Sequence, residues 1–185
     1  DERAFESCDA LTKVIFEEGG AEKAIGSYAF KDCKGLTSLA LPGDVVSIGN
    51  WAFAGCTGLA SITLAEGAES IGNEFLSDTA VTELTLPRTV TDAYYALGGT
   101  QSLKKVILAE GIKAVPDGLM RSYSSSDPGS NVSEVVLPES VTAVGDYAFA
   151  DCDQLLEISL PEDLMIFAHA VNNGDLSGRA GLTVR

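Results

Sequence analysis

The sequence predicts an α/β repeat, a strand-rich, right-handed solenoid with one short parallel strand per turn of about 23 residues. Short α or 3-10 helices are expected on its convex side. Three observations carry this expectation. One phrase recurs, as IGSYAFKDCKGLTSLALP at Ile25–Pro42, IGNWAFAGCTGLASITLA at Ile48–Ala65 and VGDYAFADCDQLLEISLP at Val144–Pro161. Its leading aliphatic residue runs down the chain as Leu11, Leu36, Leu59, Val81, Leu103, Val132 and Leu155, at spacings of 25, 23, 22, 22, 29 and 23 residues. Each is followed three and five positions later by another apolar side chain, such as Leu39 and Leu41 or Ile62 and Leu64. That alternation is the period of a strand buried on one face.

Each element of the repeat has a physical reason. A strand that returns only after a full unit pairs with its neighbour in parallel, through a crossover rather than a hairpin. Pro42, Pro87, Pro138 and Pro161 begin the turn after the strand, and Glu66-Gly67 and Glu110-Gly111 take their place in other units. A second apolar pair, Val45 and Ile48 or Val141 and Val144, then points inward from the returning segment. Gly26, Gly49, Gly72 and Gly145 follow it, which marks a position needing positive φ or a close approach to the neighbouring coil. The A-F-x-x-C-x-x-L stretch that completes the unit has room for only a helical turn or two. Burial of one unit's few aliphatic side chains falls short of the entropy lost in ordering its backbone, so units must stack to fold. Leu182–Val184 reads as an eighth strand.

The phrase I-G-x-x-A-F-x-x-C-x-x-L-x-x-I-x-L-P resembles the BspA-like (Treponema pallidum type) leucine-rich repeats of bacterial surface proteins, over Ala4 to about Leu164. The period also falls in the range of leucine-rich repeats. The units at Ile71–Leu86 and Tyr94–Leu108 depart from the pattern, with Leu76 and Leu97 in place of Phe and Thr79 and Thr100 in the Cys column. The resemblance implies a leucine-rich repeat solenoid and a role in adhesion or in contact with a host or its matrix.

Composition narrows the classes of function. The chain has 185 residues, of which 45% are hydrophobic, enough for a folded array. Its net charge of −15, from 12 Lys and Arg against 27 Asp and Glu, repels phosphate backbones, so no nucleic acid partner is expected. No apolar run approaches the roughly 20 residues of a membrane-spanning helix, and DERAFESCDA is not a signal peptide. Asp1 aligns with Gly26, so the chain begins partway through a unit, and either a segment of a longer array or an array whose first turn serves as an irregular cap is expected. Residues 1–185 are read as a single domain of about seven repeats and a degenerate C-terminal turn. The decay of the pattern after Leu164 suggests a cap over the end of the core.

Candidate sites divide into columns. Cys8, Cys33, Cys56 and Cys152 each stand three residues before the leading aliphatic residue and are read as buried structural thiols rather than zinc ligands, with a Cys33–Cys56 disulfide open only if adjacent turns bring their Cβ atoms together. His169, the only histidine, is read as solvated. The acidic pairs Glu17/Glu18 and Glu162/Asp163 fall in turns and are read as a solvated rim; Asn172–Asp175 is read as a turn. Tyr28, Trp51 and Tyr147 form an aromatic column broken by Glu74, read as cover for the seam between convex turns. Ser122–Asn131 is an inserted polar loop. No catalytic or metal-binding constellation and no cofactor is expected.

The strand positions facing out are the candidate ligand-binding residues: Ser38, Ser61, Glu83, Lys105 and Glu134 in one column, Thr63, Thr85, Ile107 and Val136 in the next. Glu83, Lys105 and Glu134 alternate in sign and can pair across strands. The rest is small and mostly uncharged. Seven strands at ~4.8 Å spacing give a continuous concave sheet about 29 Å long, the scale of a protein interface rather than a small-molecule pocket. The expectation is a non-catalytic, monomeric binding module, secreted or on a bacterial cell surface, that holds a host or matrix protein or a glycan through this sheet. A structural spacer presenting another domain away from the envelope is the alternative.

Overall fold

A computed structural model describes residues 1–17, 19–123, 129–161, 164–166 and 183–184. It is a parallel-strand solenoid with two strand faces. The predicted face carries β2 (Ser38–Leu41), β4 (Ser61–Leu64), β6 (Glu83–Leu86), β7 (Lys105–Leu108), β9 (Glu134–Val136), β11 (Glu157–Ser159) and β13 (Thr183–Val184). Equivalent residues stand side by side: Leu39 pairs with Ile62, Leu84 with Val106, Val106 with Val135 and Val135 with Ile158. β2, β4 and β6 alternate strictly between exposed and buried positions, as the period-two pattern requires.

The returning segments form ladders of their own. β1 (Lys23–Ile25), β3 (Val45–Ile48) and β5 (Ser70–Ile71) pair in that order, and β8 (Ala114–Val115), β10 (Ala143–Val144) and β12 (Met165–Ile166) form a second run. Between the two runs only an isolated bridge, Ser70 to Asp92, survives. The recurring glycine of this segment answers to close approach. A Cβ on Gly49 would lie 2.4 Å from the Ser27 nitrogen, and one on Gly72 2.5 Å from that of Asn50.

The expected convex helices are not formed; the described residues contain none. Tyr28, Phe30 and Asp32 donate their N–H groups to Asn50, Ala52 and Ala54 of the next coil at 2.9, 2.8 and 2.8 Å. The N–H groups between them, of Ala29, Lys31 and Cys33, turn back to Gly26, Tyr28 and Phe30 of their own coil at 3.2, 3.1 and 3.2 Å. A helix needs every donor for its own i−4 carbonyl, so half the donors are already committed elsewhere. The alternation also forces left-handed φ at two positions per unit, four residues apart: Tyr28 (59°) and Asp32 (60°), Trp51 (52°) and Gly55 (72°), Glu74 (48°) and Asp78 (53°). Each non-glycine residue there costs about 1–3 kcal/mol, which the bonds to the neighbouring coil offset.

The core is built of stacked columns. Phe5, Phe30 and Phe53 lie ring on ring at 5.1 and 5.5 Å. Cys33 donates its thiol to the Phe5 carbonyl at 3.1 Å, Cys56 to that of Phe30 at 3.0 Å and Cys152 to that of Val132 at 3.3 Å. Thr79 and Thr100 use the same column differently, donating to Leu76 at 2.9 Å and Leu97 at 2.7 Å within their own coils. All four cysteines are free thiols, but Cys8 is exposed where the other three are buried. The first unit departs further: residues 11–17 form no strand. This departure accompanies the 25-residue spacing of that unit, with Gly19 and Gly20 at φ 86° and 114°. The expected C-terminal cap lies largely outside the described residues.

Gly72→Ala is expected to lose at least about 1–3 kcal/mol, since its Cβ meets backbone that cannot move aside; denaturant unfolding checks this. Burial pushes the Cys33 thiol up and the Cys56 thiol up to about 12, from an ordinary 9.0. In the native protein at pH 8, Cys8 should be alkylated while Cys56 is spared, as read by mass spectrometry. Because the folded pKa of Cys56 is the higher one, its contribution to stability is complete below pH 9 and is lost as pH rises towards 12. Cys56→Thr should flatten the alkaline limb of the melting profile.

Candidate functional site

Ser38, Ser61, Thr63, Glu83 and Thr85 are exposed, and Lys105, Ile107, Glu134 and Val136 are half-buried. Ladder register sets Ser38 beside Ser61 and aligns Glu83, Lys105, Glu134 and Glu157 in a row. Lys105 Nζ meets Glu134 Oε1 at 2.7 Å. The hydrogen bond to Glu134, and the fields of Glu83 and Glu157 beyond it, hold the Lys105 amine above its ordinary pKa. The positive charge is thus committed within the row.

The sheet is not continuous. β2 and β4 form one two-stranded ladder, and β6, β7, β9, β11 and β13 form another. β4 and β6 remain neighbours but share no ladder. The cause is a shortened unit. From the Cys column to the leading aliphatic residue the count is three in Cys33–Leu36, Cys56–Leu59, Thr100–Leu103 and Cys152–Leu155, but two in Thr79–Val81. With one residue missing, Ala80 rather than Thr82 reaches back, donating to the Leu59 carbonyl at 2.9 Å.

In four other coils the residue just ahead of the strand donates to its counterpart. Ala60 N–H binds the Thr37 carbonyl at 3.0 Å, Lys104 that of Thr82 at 2.8 Å, Ser133 that of Lys104 at 2.9 Å and Leu156 that of Ser133 at 3.0 Å. The Thr82 N–H and the Ala60 carbonyl make no such bond. At the far end Pro87 occupies the place from which Ala65 and Ala109 donate to Leu41 and Leu86 at 3.1 and 2.9 Å, and proline has no N–H to give. A groove of about 400 Å³ opens over this seam, walled by Ser61 and Thr63 on one side and Thr82, Glu83 and Thr85 on the other. Four of the nine residues chosen from the sequence therefore meet at one place. The two unpaired backbone groups were missed, although the two-residue count at Thr79–Val81 could have flagged them.

Away from the strand face, the left-handed positions carry a ridge of rings. Tyr28 stacks on Trp51 at 5.3 Å, and Arg3 lies over the other end at 4.3 Å from Tyr28. Tyr123, at the start of the inserted loop, bridges the break at Glu74, lying edge-on to Trp51 at 5.4 Å and to Tyr95 at 5.6 Å. Buried Glu74 accepts from Trp51 Nε1 at 3.3 Å and from the Tyr123 N–H at 3.1 Å. Arg121 fills the break at Gly118, 5.7 Å from Tyr95 and 4.6 Å from Tyr147. These rings are engaged chiefly with one another.

No group of three or more metal-ligating side chains occurs among the described residues, and no helix long and apolar enough to cross a membrane occurs among them. His169, Asn172–Asp175, Glu162, Asp163 and Glu18 lie outside the described residues, as does the middle of the Ser122–Asn131 loop.

Stacked parallel strands, a Cys/Thr column and an outer edge made of turns define a leucine-rich repeat solenoid. The family model of the BspA type leucine rich repeat region matches six copies over residues 1–103 and 122–173, and the chain belongs to this family. Among solved structures it is similar to a leucine rich repeat protein of T. pallidum, with a TM-score of 0.60 and 28% identity over 77% of this chain and 65% of that one. It is also similar to a leucine-rich repeat protein of Bacteroides ovatus, with a TM-score of 0.56 and 24% identity over 90% and 48%. A leucine rich cell surface protein of Faecalibacterium prausnitzii aligns at a TM-score of 0.49 and 18% identity over 92% and 59%. The chain spans from about half to just under two thirds of the length of these proteins. No curated protein matches the sequence.

In a hydrogen-exchange measurement on the free protein, the Thr82 amide should exchange faster than its counterparts Ala60 and Lys104, because it alone of the three lacks a carbonyl partner. Equal protection of all three would show the seam to be closed.

Proposed function

We propose that the chain is a non-catalytic binding module, secreted or displayed on a bacterial cell surface. It holds a host or matrix protein, or a glycan, through the strand face centred on the groove between β4 and β6. The observation that carries this reading is the chemistry of that face. Short hydroxyl side chains, Ser38, Ser61, Thr63 and Thr85, leave the backbone accessible around a groove, and the nearest cation is held by Glu134. Such a surface loses little side-chain entropy on being covered. The residues on either side extend it along the array, which suits a macromolecule better than a small ligand. Membership of the BspA type family supports the bacterial surface as its location. Residues 1–185 are taken as one array, and its acidity disfavours nucleic acid.

Thr63→Arg and Thr85→Arg fill the groove from opposite walls without touching the core. Each should lower binding to partners drawn from a panel of purified matrix proteins and a glycan array, read by surface plasmon resonance, while the melting temperature stays within a degree or two of the parent. Binding undiminished in both variants would move the site elsewhere, and no binding by the parent to either panel would favour the spacer.

A further inference from the structure

The ladder of returning segments carries a groove of its own. It measures about 530 Å³, against about 400 Å³ for the one over the β4–β6 seam, and runs along the axis past the coils of Gly26, Gly49, Gly72 and Asp92. At ~4.8 Å per coil that makes a trough about 14 Å long. Short polar side chains flank it. Ladder register sets Ser47 beside Ser70 and Ser70 beside Asp92 on one side. Asn50 and Asn73 stand on the other, tied by the Asn73 N–H to Asn50 Oδ1 bond at 2.9 Å. The main chain beneath is committed, with Gly49 donating to Ile25 at 2.8 Å, Gly72 to Ile48 at 2.7 Å and Ile71 to Asp92 at 2.8 Å. The side chains of Ser47, Ser70, Asn73 and Asp92 find no hydrogen-bond partner among the described residues. A ring closes one end of the trough. Tyr94 lies against Gly118 of the next coil, where a Cβ would come within 2.7 Å of it, and Arg121 Nη1 donates to its hydroxyl oxygen at 3.0 Å. Tyr95 stands nearly perpendicular to it, with 4.3 Å between ring centres. The ring is thus fixed by the coil beyond while it lines the groove.

We propose that this groove is a second binding site, separate from the strand face, and that it takes a short neutral oligosaccharide lying along the axis with a terminal ring on Tyr94. Every sugar hydroxyl both donates and accepts. The Asp92 carboxylate accepts, and the Asn73 carboxamide and the Ser47 and Ser70 hydroxyls do both, so a row of hydroxyls meets a partner at each coil. The apolar C–H face of a pyranose ring matches the face of a held aromatic side chain. Charge excludes the acidic sugars: the charged residues on the groove, Glu2 and Asp92, are both carboxylates, and no Lys or Arg lines it. A peptide is served less well. The bonded amides of the floor leave little for strand addition, and the aliphatic side chains of Ile25, Ile48 and Ile71 are buried in the core, so the trough has no open apolar pocket to anchor a side chain.

The experiment keeps this site and the strand face apart. The parent is screened on an array of neutral oligosaccharides, with sialylated and sulfated ones alongside. The strongest neutral binder is then titrated by calorimetry into the parent, Asp92→Ala, Tyr94→Ala, Tyr94→Phe and Thr63→Arg. The expected result is that Asp92→Ala and Tyr94→Ala each weaken it by about tenfold or more, the worth of a hydrogen bond to a charged group or of a stacked ring. Tyr94→Phe, which keeps the ring, and Thr63→Arg, which lies on the other face, should bind as the parent does. Asp92 is exposed and its carboxylate holds no other side chain, so the reading from Asp92→Ala stands even if Tyr94→Ala fails to fold. Failure of every neutral oligosaccharide to bind, binding of charged ones alone, or a neutral binder indifferent to Asp92→Ala overturns the proposal. So does a purified matrix protein that is lost on Asp92→Ala where no neutral oligosaccharide binds, which gives the groove to a protein. A glycan lost on Thr63→Arg yet indifferent to Asp92→Ala and Tyr94→Ala leaves the strand face as the site and removes this one.

Discussion

Hydrogen bonding between coils is the constraint on which the rest of this structure depends. On the outer edge every second N–H leaves its own turn for a carbonyl of the next coil, as Tyr28, Phe30 and Asp32 do towards Asn50, Ala52 and Ala54. A unit built this way has its polar backbone groups satisfied only in company. The same commitment explains the absence of helix, the left-handed φ values borne by Tyr28, Trp51 and Tyr147, and the lack of room beside Gly49 and Gly72. Side-chain columns follow from it, because coils tied backbone to backbone bring Phe over Phe and Cys thiol to the carbonyl above.

Where the constraint lapses, the molecule acquires a feature that a perfect repeat would lack. The unit around Thr79 is one residue short on its way to the strand, and the ladder between β4 and β6 does not form. The outer edge nevertheless continues through the same coils, with Trp51 and Phe53 donating to Asn73 and Phe75 at 2.8 and 3.0 Å and Glu74 to Tyr95 at 2.8 Å. Stability is thus kept on one side while polar groups are exposed on the other. Within the strand face, between two runs of ladder-bonded strands, such an interruption is the natural place to look for specificity.

Much of this was legible in the sequence. The aliphatic positions three and five residues after each leading residue gave strand register correctly from Leu39 to Ile62 and from Leu84 to Ile158, because burial on one face leaves no other period. Buried thiols at Cys33, Cys56 and Cys152 followed from their fixed place in the repeat. The outer edge was misread because A-F-x-x-C has the apolar spacing of a helical turn, and nothing in side-chain pattern reveals whether an N–H bonds within its coil or to the next. β3 and β10 were seen only as inward-pointing pairs, being four and two residues long. Cys8 was assigned to a column that needs a coil on each side, and its exposure shows how strongly the pattern depends on neighbours. The groove itself emerged from a deletion, which column matching hides by sliding Val81 into register.

The ridge of rings from Arg3 through Tyr28, Trp51, Tyr123 and Tyr95 to Arg121 and Tyr147 has a mechanical meaning. Contacts repeated at each coil make that edge resist stretching, as a tendon does along the back of a bow. The opposite edge is cut once, between the second and third of its strands. A load that flexes the array therefore gathers its compliance at that cut.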